Sequence, residues 1–230
     1  MQNVELQSVS RIYGRLFAVH RVSADFPAGS ICGLVGDNGS GKTTLLSMLA
    51  TTEKPTDGSI SYDDVDWSTF SDRFRSRVGW IAHETLVYDE LTGRENLTFY
   101  GEMYGLEELE SKIDYWLERI DLSDAADRRV ENYSRGMRQR LSIARALLHD
   151  PDLLLLDEPF TGLDRKGRQT VISLLEELRD KQKIIILASH DLRILDDLAD
   201  RLMVLRRGKV SHFESKIDST TVADLYREYA

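Results

Sequence analysis

Apolar positions in the first third of the chain recur in the short rhythms of strands. VELQSV (residues 4–9) alternates apolar and polar residues, as a half-buried strand does. ICGLV (31–35) and VGWIA (78–82) are short apolar runs, read as buried strands. GSISY (58–62) follows the turn signal Pro55-Thr56-Asp57-Gly58 and predicts another. From residue 92 to 148 the rhythm becomes helical. Leu97, Tyr100, Met103 and Tyr104 mark one segment, and Ile113, Trp116, Leu117 and Ile120 mark the next. Met137, Leu141, Ala144 and Leu148 recur at i, i+4, i+7 and i+11, one buried face of a third helix. Strands return at LLLL (153–156) and IIILA (184–188), separated by a helix over roughly 165–180. RLMVL (201–205) follows another helix, and the tail 218–229 is predicted helical. Continuous apolar strands alternating with helices make a parallel sheet covered on both faces. The expected fold is α/β and a single domain over 1–230, with a helical block at 85–148 inserted into a core of 1–84 and 149–230. No repeat, low-complexity segment or long linker interrupts it.

Composition narrows the function classes. The 230 residues are 41% hydrophobic and 30% charged, enough for a proper core. The net charge of -9 argues against nucleic acid as the main partner, since phosphate backbones want a basic face. The opening MQNVELQSVS lacks the basic and apolar regions of a signal peptide, and no apolar run approaches the ~18 residues of a membrane span. A role at a membrane would therefore need a partner chain. The single cysteine, Cys32, lies inside ICGLV and is read as a buried reduced thiol, consistent with a cytosolic protein.

Three stretches carry chemistry. Gly36–Thr43 reads GDNGSGKT, a full G-x-x-x-x-G-K-[ST] match between the strand ICGLV and the helical run TLLSMLA. Glycines there let backbone N–H groups converge on phosphates, Lys42 would contact the β- and γ-phosphates, and the Thr43 hydroxyl would ligate Mg²⁺. LLLLDEP (153–159) ends a core strand on two carboxylates, where ligands of α/β sheets bind. Asp157 would hold Mg²⁺ through water, and Glu158 would polarise an attacking water as general base. His190 follows a second core strand directly and would reach a γ-phosphate. A fourth stretch, YSRGMRQRLSIARALL (133–148), opens like an anion site, with Ser134 as helix cap and Gly136 leaving the backbone open. It has no Lys-Thr pair, so alone it is an incomplete phosphate site.

In this order the motifs resemble those of the nucleotide-binding subunits of ATP-binding-cassette (ABC) transporters: phosphate loop at 36–43, linking loop near 83, signature YSRGM at 133–137, strand carboxylates at 157–158, TGLD at 161–164 and a switch histidine at 190. The resemblance implies a P-loop NTPase core with an N-terminal antiparallel β subdomain and an inserted α-helical subdomain. It implies ATP and Mg²⁺ as ligands, a head-to-tail homodimer or a paralogous second cassette, and a transmembrane permease subunit. It implies no nucleic acid, and a cytoplasmic position on the inner face of the membrane. It also explains the incomplete site. Each nucleotide rests on one chain's phosphate loop and is closed by the other chain's signature, so Ser134 and Gly136 would touch a partner's γ-phosphate. Asp164 would lie at the dimer interface. Tyr13 would stack on adenine, with Phe17 as its competitor.

The candidate ATP contacts are thus Tyr13, Gly36, Asn38, Gly39, Ser40, Gly41, Lys42, Thr43 and Thr44, completed by Ser134, Gly136 and Asp164. Glu158, His190 and Lys42 are the catalytic candidates, and Thr43, Asp157 and His83 the metal candidates. The chain departs from the family in places. His83 stands where most members carry Gln, with Glu84 as an alternative; Tyr133, Arg135 and Met137 replace Leu, Gly and Gln in the signature. His83, SRGMRQRL and LTGRENLTFYGEMYG are similar to the ATPase of cytochrome c maturation, which implies haem export; drug-, lipid- and polysaccharide-exporting ATPases look much the same here. A single-cassette ATPase of cluster assembly and a P-loop kinase are the rival classes.

Overall fold

The structure is a computed structural model and describes residues 1–63, 65–66, 75–82, 84–214 and 221–229. Strands β1 (Asn3–Tyr13) and β2 (Leu16–Pro27) form an antiparallel hairpin, with Val4, Leu6 and Val9 buried along β1. The hydrophobic pattern does not predict β2, and three breaks in its pairing with β1 are the reason. The register shifts between Leu6 and Val9, between Val9 and Arg11 and between Arg11 and Ile12, and Ser8 and Arg21 adopt left-handed backbone. The buried positions of β2 therefore step by three residues from Val19 to Val22 before alternating, which erases the period of two.

Loop 36–41 leads from β3 (Ser30–Val35) into α1 (Lys42–Leu49). After α1, β4 (Asp57–Tyr62) pairs with β1, and β5 (Val65–Asp66) pairs with β4. β6 (Val78–Ile81) precedes three helices, α2 (Gly93–Met103), α3 (Leu109–Arg119) and α4 (Arg135–Leu147). Then come β7 (Leu153–Asp157), α5 (Arg165–Asp180), β8 (Ile184–Ala188), α6 (Leu192–Leu198), β9 (Arg201–Arg206), β10 (Lys209–Glu214) and α7 (Val222–Tyr229).

The second sheet runs β10-β9-β3-β8-β7-β6, parallel throughout except for β9 with β10. Every residue of β3, β7 and β8 is buried, as expected of parallel strands covered on both faces. The pleat sorts them. Leu34, Leu155 and Ile186 pack with α1 and the hairpin sheet, while Val35, Leu156 and Leu187 pack with α5, α6 and α7. β10 is a second strand the pattern does not predict; its KVSHFE is polar, as suits an edge.

The helices between β6 and β7 have a core of their own, built by Leu97, Ile113, Leu117, Ile120, Leu141 and Leu148. A capping box between Thr92 and Glu95 starts α2. Asn96, fully buried, accepts from Tyr88 N–H and donates to the Tyr88 and Thr92 carbonyls, so it fixes the approach to that helix. Met103 shares the helical period with Leu97 but is 61% exposed. α4 joins the two cores: Leu141, Ala144 and Leu148 face the helical block, and Ile143, Ala146 and Leu147 face the sheet.

His149 sits at this junction, its ring stacked on Tyr104 at 4.1 Å and Nε2 3.2 Å from the Val78 carbonyl. Burial pushes its pKa down to about 4. An unfolded histidine binds its proton near pH 6.5, so stability from keeping this ring neutral is present above that pH and is lost as the pH falls towards 4. A urea-denaturation series should lose up to about 3 kcal/mol over that window through this residue. His149→Gln should flatten that part of the profile; an unchanged slope would refute the assignment.

Candidate functional site

The carboxyl ends of β3, β7 and β8 lie side by side on one edge of the sheet, so the loop after each converges there. The loop after β3 is shaped by glycine. Gly36 and Gly41 have φ of 153° and 108°, and a Cβ on either would lie 2.2 Å from the Leu205 carbonyl or 2.3 Å from the Ala18 carbonyl. No side chain fits at these positions, so only glycine lets the loop close against β9 and β2. Ser40 is buried beneath it, and its Oγ has no hydrogen-bond partner. Lys42 donates from Nζ to the carbonyls of Gly36 and Asp37 at 2.6 and 3.1 Å, which holds its ammonium over the loop.

Thr43, in the first turn of α1, donates from Oγ1 to Asp157 Oδ2 at 2.7 Å. Asp157 closes β7 and is 4% exposed. Glu158 follows in a left-handed conformation, φ 54°, its N–H bonded to the Ala188 carbonyl of β8. Such a backbone is costly for a non-glycine residue and re-aims the side chain out of the strand's alternation. Glu158 Oε2 meets His190 Nδ1 at 2.8 Å, with the rest of the histidine open to solvent. The sequence placed these two groups at the ends of two parallel strands; the structure pairs those strands and brings the groups into contact.

A cavity of about 970 Å³ covers this edge. Gly36, Asn38, Gly39, Gly41, Lys42, Thr43, Thr44, Asp157, Glu158 and His190 line it, and so does Tyr13. Tyr13 and Phe17 are both near half exposed and both line the cavity, from opposite strands of the hairpin tip. Leu16, Ala18, Thr161 and Arg207 line it too and were not read from the sequence. Thr161 stands three residues after Glu158 and so was within reach of the motif. Arg207 was not, because it arrives on the turn between β9 and β10, whose Gly208 N–H bonds the Ser40 carbonyl.

Ser134, Gly136 and Asp164 do not line this cavity. Ser134 caps α4, accepting from Met137 N–H at 3.2 Å. Gly136 packs on the Thr161–Asp164 turn so closely that a Cβ would sit 2.8 Å from the Gly162 carbonyl. Asp164 caps α5 through Gly167 N–H at 2.7 Å. Gln139, one turn into α4, donates to the Pro159 carbonyl at 3.1 Å and ties the signature helix to the strand end that bears Glu158. His83 lies outside the described residues, and Glu84 is exposed. Cys32 is buried in β3 away from this edge, and burial pushes its thiol up to about 12, so it stays protonated and inert.

A family model described as ABC transporter matches residues 19–161. The chain belongs to the ABC transporter family. The ABC transporter ATP-binding protein NatA of Bacillus subtilis is 37% identical over 214 residues, 90% of this chain and 87% of that protein. The bacitracin transport ATP-binding protein BcrA of Enterococcus faecalis is 32% identical over 97% of this chain and 71% of its own length. Among solved structures, an ATP-binding subunit of an ABC transporter superposes with a TM-score of 0.91 at 26% identity, covering 98% of each chain. A dimeric ATP-binding cassette in a post-hydrolysis state, bound to ADP and Pi, superposes with a TM-score of 0.86 at 25% identity, over 94% of this chain and all of that one. This ABC cassette is an ATP-binding subunit whose enzymatic activity is ATP hydrolysis. Pairing of cassettes and service to a membrane permease are general to the family. Among the described residues of the cassette, no helix is long and apolar enough to cross a membrane.

Proposed function

We propose that the cassette is the motor of a membrane exporter and that hydrolysis occurs at the edge where Lys42, Asp157, Glu158 and His190 meet. The contact of Glu158 with His190, beside the Thr43–Asp157 pair, carries the reading. Loop N–H groups and Lys42 would bind the β- and γ-phosphates. Thr43 would ligate one Mg²⁺ through its hydroxyl and Asp157 beside it would hold the ion through water, a sparse protein donor set of the kind this ion takes when phosphates and water supply the rest. When bound, Mg²⁺ supplies charge neutralisation at the phosphate oxygens. Glu158 would take the proton of the attacking water. His190 Nδ1 holds that carboxylate on one side, leaving Nε2 for the γ-phosphate. Tyr13 would stack on the base. Ser134, Gly136 and Asp164 lie outside the lining of the chain's own cavity, so they would serve the nucleotide of a second cassette, identical or paralogous.

Residues 1–84 and 149–230 would act as the nucleotide core, with 85–148 as the arm that carries motion to the permease. That arm bears an exposed aromatic patch. Tyr88 lies edge-on to Phe99 at 5.2 Å, Tyr100 donates to the Leu86 carbonyl at 2.7 Å, and Leu86, Tyr88, Phe99 and Met103 are all exposed. Leu86→Ala with Tyr88→Ala should leave the free cassette's ATP turnover within about twofold and abolish co-purification with its permease. Retained co-purification would rule out this face as the docking site.

Two cargo readings divide on the sequence. The relative named for bacitracin transport supports movement of an antibiotic. SRGMRQRL and LTGRENLTFYGEMYG support haem export for cytochrome c maturation. Stimulation of ATP turnover in the reconstituted complex by haem, and not by bacitracin, would select the second.

A further inference from the structure

We infer that Arg11 and Glu53 are positioning residues for the nucleotide base, acting by holding the Tyr13 ring as a fixed platform. The inference rests on the reading of Tyr13 as the base contact and adds what makes that ring a good one. Tyr13 ends β1 beside a hairpin tip of two residues, Gly14 and Arg15, where a half-exposed side chain has little to fix it. Its hydroxyl nevertheless donates to Glu53 Oε1. The Arg11 guanidinium lies 4.8 Å from the Tyr13 ring centroid, over one face. Arg11 also grips Glu53 through Nε and Nη2 at 2.9 and 2.8 Å, and the Lys54 carbonyl through Nη1 at 3.0 Å. One face of the ring is thus occupied by a cation and its tip is anchored, which leaves the other face for a purine. Phe17 has no such hold: its ring makes an edge contact with His20 at 4.4 Å.

The anchor has a second end. Glu53 stands four residues beyond the end of α1, and its N–H bonds the Ser47 carbonyl of that helix at 3.2 Å. Ile12 N–H reaches Thr56 Oγ1 at 3.1 Å, so the end of β1 and the exit of α1 are laced together. The helix that carries Lys42 and Thr43 in its first turn, about 12 Å long, is therefore tied at its exit to the carboxylate that orients the ring. Base platform and phosphate loop are held at a fixed spacing before any nucleotide arrives, which lowers the ordering cost of binding.

The experiment compares ATP with inorganic tripolyphosphate, which has phosphates but no base. Glu53→Ala should raise the KM for ATP about threefold to tenfold and leave kcat within about twofold. The inhibition constant of tripolyphosphate should not move, and Arg11→Met should behave alike. Tyr13→Ala should raise KM about tenfold or more, and adding Glu53→Ala to it should do nothing further. The inference is overturned if Glu53→Ala weakens tripolyphosphate by the same factor, which would place its effect on α1. Full additivity with Tyr13→Ala would overturn it too. A different result, Tyr13→Ala neutral and Phe17→Ala costly, would remove the base assignment itself. Thermal melts of each variant separate these outcomes from loss of fold.

Discussion

Replacing Glu158 by Gln is expected to lower ATP turnover about 10²–10⁴-fold while ATP stays bound, and to double the molar mass of the cassette in solution with ATP but not with ADP. Glutamine has the same shape and can still accept from His190 Nδ1, so the left-handed strand end and its 2.8 Å contact survive. It cannot take a proton. The water is then positioned and not activated, and the nucleotide that closes two cassettes persists. The rate loss and the mass change must come together if the general base lies in a shared site. Turnover within tenfold of the unaltered chain would remove Glu158 from that role. A rate loss with a persistent monomer would mean that the second cassette is a different protein, or that closure needs the permease.

Much of the edge was legible because its signals are local. GDNGSGKT sits between a strand and a helix that its own neighbours announce, and LLLLDEP carries both the core strand and its carboxylates. His190 could be placed because IIILAS ends where a parallel strand must end. What could not be read depends on contacts between distant segments. β2 hid behind three register shifts that no alternation rule survives. Arg207 enters the cavity on a hairpin whose second strand, β10, is too polar to stand out. Glu53 looks like a turn residue until Arg11, forty-two positions earlier, is seen gripping it. Met103 has the right period and the wrong environment, because nothing else in the described chain covers that side of α2. Periodicity states which residues share a face; only the tertiary arrangement states whether the face is covered.

Ser134→Asp should separate the signature's two roles. Aspartate caps a helix as well as serine does, and a carboxylate at a helix N-terminus is favoured by the dipole, so α4 and its bond from Met137 N–H should persist. Ser134→Ala would instead remove the cap, at a cost of about 1 kcal/mol, and confuse folding with function. The new charge stands where a partner's γ-phosphate would come, against three or more negative oxygens. Because Ser134 and Gly136 lie outside the chain's own cavity, the affinity of the isolated cassette for ATP should change less than about twofold. Turnover should fall at least about 100-fold, the scale of losing one donor to a developing anion, and the ATP-driven doubling of mass in a Glu158→Gln background should vanish. Equilibrium binding of ATP to the monomer, measured alongside turnover, decides the matter. If both fall by the same factor, the signature belongs to its own chain's site and the composite reading is wrong. If binding holds while turnover collapses, the helix start at Ser134 acts on a nucleotide that its own phosphate loop does not hold.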